Sequence, residues 1–89
     1  MSSRTKHGWW WLADNSACVL NLDDAELVLE TTHERRTPPY RVLVSETDDN
    51  ENVVACHRIG TVYGKIEDAR NVALKAYLRI RERKRRADA

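Results

Sequence analysis

Eighty-nine residues, with 15 Lys and Arg against 14 Asp and Glu, can build only one hydrophobic core, which excludes a second folded domain and leaves little depth for a water-excluding active site. Hydrophobic residues at 42% and charged residues at 33% exclude an intrinsically disordered chain. The longest apolar run, Trp9-Trp10-Trp11-Leu12-Ala13, is far shorter than the roughly 18 residues that cross a bilayer.

Residues 1–8 read as a flexible N-terminal segment. Met1-Ser2-Ser3-Arg4 is followed by no apolar h-region, so no signal peptide is expected. A cytoplasmic protein with reduced Cys18 and Cys56 is the expectation, in the host cytoplasm if the gene is a phage's. Residues 9–12 are aromatic-rich and end in Asp14-Asn15-Ser16, which predicts a short strand and a turn. Residues 18–22 form the next strand, closed by Asp23-Asp24. From Ala25 to Thr32 the chain alternates, with Leu27, Leu29 and Thr31 on one face and Glu26, Val28 and Glu30 on the other, as in a half-buried antiparallel strand. The polar run before Pro38-Pro39 makes a loop. Residues 40–46 resume as an inner strand, residues 48–52 turn, and residues 53–59 pair back. Gly60 and Gly64 bracket a connector. From Lys65 the period becomes helical: Ile66, Ala69, Val72, Ala73, Ala76, Tyr77 and Ile80 share one arc, with Glu67 and Asp68 in the first turn. Arg83 falls on the apolar side of that wheel, so packing should end near Ile80, with residues 81–89 projecting as a basic helix end or tail. Leu74 and Leu78 lie off the stripe, exposed unless a loop or second subunit covers them. The predicted architecture is α+β: a single domain over residues 9–80, with an antiparallel sheet of about four to five strands packed by one long C-terminal helix.

The small net charge conceals a segregation. Residues 9–69 hold five basic and twelve acidic groups, for −7, while residues 70–89 hold eight basic and two acidic groups, for +6. Such asymmetry steers association with a charged partner.

Asn21-Leu22-Asp23, Tyr40 with Val42, Gly60 with Val62, and Glu67-Asp68-Ala69 opening the helix give residues 18–80 a pattern that resembles small bacterial and phage proteins of unassigned function, built as a β-meander followed by one helix. The resemblance implies that architecture and no activity. The triple Trp and the basic C-terminus depart from the pattern and mark where this chain's own function would reside. Small phage-type proteins of this build resemble inhibitors that block a host complex by binding, an analogy of fold.

The short catalytic motifs are absent: no phosphate-binding Gly-rich loop, no His-Glu-x-x-His, no Cys-x-x-Cys, no Gly-x-Ser-x-Gly. Cys56 and His57 are adjacent in a strand and therefore point to opposite faces. Cys18 or Cys56 with His33 is the other conceivable pair, set against the commoner case of small core thiols and a loop His. Two Cys and three His (His7, His33, His57) have no ligand spacing, so neither a metal nor another cofactor is expected. An enzyme assembled across an oligomer, such as a nucleotide hydrolase relying on Tyr63, Lys65 or His57, is a third reading.

Binding is better supplied. Arg79, Arg81, Arg83, Lys84, Arg85 and Arg86 place six cations within about two turns, enough to contact several phosphates of a nucleic acid; the bland alternative is a solvated helix end suited to the negative pole of the dipole. Trp9, Trp10 and Trp11 cannot all face the core, because alternation sends Trp9 and Trp11 one way and Trp10 the other, so at least one is an interface candidate. Leu74 and Leu78 are further candidates for self-association, and a homo-oligomer would enlarge a small core. The acidic loop with Glu46, Asp48, Asp49 and Glu51 can mimic phosphates to a nucleic-acid-binding protein, or simply make a soluble hairpin. The leading expectation is a non-enzymatic binding protein that blocks or sequesters a host protein or protein–nucleic-acid complex. A nucleic-acid-binding module using the C-terminal helix is its rival.

Overall fold

The computed structural model describes residues 8–32 and 35–88. Five strands, β1 (Trp10–Trp11), β2 (Ala17–Asn21), β3 (Ala25–Thr31), β4 (Tyr40–Thr47) and β5 (Val53–Val62), precede one helix, α1 (Ile66–Asp88). The strands form a single antiparallel meander in chain order, with the helix across one face. This is the α+β arrangement that the change of period from two to 3.6 predicts.

Alternation decides which residues form the core. Leu27 and Leu29 on β3 pair with Val44 and Val42 on β4 and with Leu20 and Cys18 on β2, and Cys18, Leu27, Leu29, Val42 and Val44 are the largest fully buried side chains. Above them the helix presents Ala69 and Ala73, both fully buried. Small residues there let the helix backbone come close to the sheet, while Ile66, Val72, Ala76, Tyr77 and Ile80 close the flanks. Tyr40 is buried, and its hydroxyl donates to the Arg36 carbonyl at 3.0 Å. The Tyr77 hydroxyl donates to Asp24 Oδ1 at 2.7 Å, tying the helix to the β2–β3 turn.

The last strand differs from expectation. Gly60 does not end β5, which continues to Val62. Val42 lies opposite Gly60 and Leu43 opposite Arg58, leaving Ile59 as the extra residue of a bulge. Gly60 has a φ of 152°, a backbone state that glycine supplies and that turns a would-be strand end into a kink within the strand. Leu74 also departs from expectation: it packs against the core, whereas Leu78 is 58% exposed.

The helix is longer than β3 and β4, the strands it packs on most. Its 23 residues span about 34 Å at a rise of about 1.5 Å per residue, against about 27 Å for the eight residues of β4. The core-facing stripe ends at Ile80 as expected, and residues 81–88 continue as regular helix. No helix among the described residues is long and apolar enough to cross a membrane.

Candidate nucleic-acid interface

Residues 81–87 are exposed without exception. Arg79, Arg83 and Arg86 recur once per turn and line one shallow groove with Leu78 and Glu82. Arg83 and Lys84 also border a second groove with Glu46, His57 and Ile80. Glu82 meets Arg86 at 3.4 Å, an i, i+4 pair open to solvent, so the cluster remains strongly cationic. Cations therefore surround the helix end rather than occupying one stripe, and they sit at the negative pole of the helix dipole, which favours the helix in their presence.

Two of the acidic candidates, Glu46 and Asp48, are already engaged within the chain. Glu46 belongs to β4, not to the loop, and its Oε2 lies 2.7 Å from Nε2 of His57 on β5. Asp48 Oδ1 accepts the backbone N–H groups of Asn50 and Asn52, both at 2.9 Å. Those bonds, the Asn52 N–H foremost, hold the Asp48 carboxyl below its ordinary range. Asp49 is exposed and Glu51 is half-buried at a φ of 66°. Asp24 accepts from Tyr77, and burial first, then the bond to that carboxylate, push the tyrosine hydroxyl up.

The tryptophans divide as alternation requires. Trp9 and Trp11 pack against the core under the helix, where the Arg70 guanidinium lies 5.6 Å from the Trp9 ring centroid and Arg36 lies 5.1 Å from Trp11. The Nε of Arg70 is buried without a hydrogen-bond partner, and nearby the Cys18 thiol is pushed up by burial with Arg70 opposing the shift. Trp10 is on the opposite, uncovered face of the sheet, and its indole N–H donates to Asn21 Oδ1 at 2.8 Å.

Cys18 is buried and Cys56 exposed, so only one of the two thiols is a core residue. Their proposed partner His33 lies outside the described residues, as do His7 and residues 1–7 generally. Cys56 pairs in register with Ser45, and His57 with Val44, which puts these neighbours on opposite faces. Tyr63 is 77% exposed beyond the end of β5, and Lys65 precedes the helix. His57 lies five residues before Val62 on β5, roughly 17 Å away along the strand, so the three residues of the enzyme reading are not assembled within one chain. Sequence reasoning missed the His57–Glu46 pair, because its only signal is the β4–β5 register, which shifts between Glu46 and Thr47 just beyond the hairpin turn. No family model, curated protein or solved structure matches the chain.

Proposed function

We propose that this protein is a non-enzymatic binding module that holds nucleic acid through the exposed end of α1. The observation that supports the reading is the continuation of regular helix to Asp88, eight residues past the last core contact at Ile80, carrying Arg81, Arg83, Lys84, Arg85 and Arg86 into solvent. Eight residues of helix extend about 12 Å, a probe of the size that enters a groove or lies along a phosphate backbone. Contacts of this kind are to phosphates, so affinity rather than sequence choice is what they supply. The acidic, phosphate-mimicking inhibitor is less well supported, because Asp24, Glu46 and Asp48 are engaged by Tyr77, His57 and backbone N–H groups.

Titration of a short duplex and of single-stranded DNA and RNA with the full chain tests the proposal. Binding should weaken steeply with salt, with a slope of about −3 to −4 in log K against log salt for four or so phosphates. The triple variant Arg79→Glu, Arg83→Glu, Arg86→Glu should lose at least about tenfold in affinity at low salt. Absence of any binding at low ionic strength, or affinity unchanged in the triple variant, overturns it.

A further inference from the structure

The face of the sheet that the helix leaves uncovered carries a row of residues in direct register from edge to edge: Trp10, Val19, Val28, Leu43 and Arg58. Over β1–β3 and reaching Arg41 on β4 lies a groove of about 770 Å³ lined by Val19, Val28, Trp10, Glu30 and Glu26, whose Oε1 accepts from Asn21 at 3.3 Å. Val28 and Leu43 are only half-buried. The charges on this face are sorted by strand. Glu26 and Glu30 belong to β3, Arg41 to β4 and Arg58 to β5. Glu30 and Arg41 are exposed and directly opposite in register, yet among the described residues no ion pair joins them. The face is thus apolar along its middle, acidic on one half and basic on the other, with equal numbers of each charge.

A surface with that pattern is complementary to itself. A two-fold axis parallel to the strands, lying between β3 and β4, sets β3 of one copy over β4 of another and β2 over β5. Val28 then meets the second copy's Leu43, and Glu30 meets its Arg41. The second copy's Arg58 enters the groove between Trp10 and the two carboxylates, and every contact is made twice, as an isologous interface requires. We infer that the open sheet face joins two copies of this chain into a dimer, with Leu43 and Arg58 of each filling the Trp10–Val19–Val28 groove of the other.

The interface is a small one. Four strands about 4.8 Å apart overlap, since β1 of each copy overhangs, and five residues at about 3.3 Å each give a plane of roughly 320 Å² per copy. Corrugated side chains add to the roughly 640 Å² that two copies give, which keeps the interface at the small end, below the roughly 1,200 Å² of standard-size complexes, and leaves charge complementarity to set its pairing. Sheets stacked this way lie about 10 Å apart, with side chains interdigitating between them. The inference is independent of nucleic-acid binding, because it uses the face opposite the helix.

Sedimentation equilibrium of the full chain, read with far-UV circular dichroism as the check on folding, tests it. The unaltered chain should sediment as a dimer. Glu30→Lys and Arg41→Glu, reversals of the two residues that meet across the two-fold axis, should each raise the dimer dissociation constant at least about tenfold. Mixing the two variants should restore a dimer, since the two reversed charges then face each other at one contact while the natural Glu30 and Arg41 meet at the other. Leu78→Glu should leave the dimer intact, and Leu43→Asp should abolish it. A monomeric natural chain, a dimer indifferent to both reversals, a mixture that stays monomeric, or a dimer lost with Leu78→Glu but kept with Leu43→Asp each overturns the inference.

Discussion

Asp48 shows how a single residue can look like part of a working surface and serve the fold instead. Its carboxylate accepts two backbone N–H groups of its own turn, while the turn closes through Glu51 N–H to the Asp48 carbonyl at 3.0 Å. A charged side chain that completes a hairpin this way fixes the register of both strands beside it. Asp48→Ala should therefore lower the urea midpoint at neutral pH. The sign with pH follows from linkage: the folded carboxyl is held below its ordinary value of 3.8, so the stability it contributes is present above that value and is lost as pH falls through the folded value. Urea curves of the two chains should be separated at pH 7 and converge in acid. A separation that persists in strong acid would show that the aspartate acts through something other than its charge. Asp14 repeats the device in the β1–β2 turn, accepting the Ser16 N–H at 2.9 Å, with its carboxyl likewise lowered and Ser16 the main cause.

At the level of elements, the helix start is half-built. Asp68 reaches back to the Lys65 N–H at 3.3 Å, the return half of a capping box, but Lys65 offers no oxygen to the first-turn N–H groups. Lys65→Ser would complete the box and should raise stability by about 0.5–1 kcal/mol, measured by urea unfolding with an unchanged m-value. The elements themselves were legible wherever one period ran unbroken: β3 from Leu27, Leu29 and Thr31, and α1 from Ile66 to Ile80. They were less so where a local geometry overrides the pattern. Gly60 reads as a strand end from its type, yet the bulge that absorbs it depends on how β4 pairs, which no local window contains. Leu74 lies off the helical stripe, and its burial is set by how the helix sits on the sheet. The charged helix end was legible as composition, but whether it frays or stays helical was not. The open face was legible only as the outward half of each strand, because the row from Trp10 to Arg58 exists once five registers are fixed.

Across the whole molecule, the acidic and basic segments do not form opposite poles. Asp24 is bonded to Tyr77, Glu46 and His57 border the same groove as Arg83 and Lys84, and the Thr47 N–H donates to the Asp24 carbonyl, so the acidic turns and the basic helix end share one end of the sheet. The carboxylates there offset charge at the base of the projection and leave its tip cationic, the part on which the proposed nucleic-acid binding rests. In the proposed dimer a two-fold axis along the strands places both tips at the same end, on the outer faces of the two stacked sheets, where the proposed nucleic-acid binding would be bivalent. The core, however, closes at Ile80 and the sheet face is remote from the tip. Removing residues 81–89 should therefore shift unfolding stability by no more than about 1 kcal/mol, the loss being mainly favourable charge at the helix C-terminus. The truncated chain should still sediment as a dimer while its salt-dependent affinity for nucleic acid falls to background. If truncation unfolds the protein, the projecting turns are part of the scaffold; if it leaves nucleic-acid binding unchanged, the cations at the tip are solvated charge and nothing more.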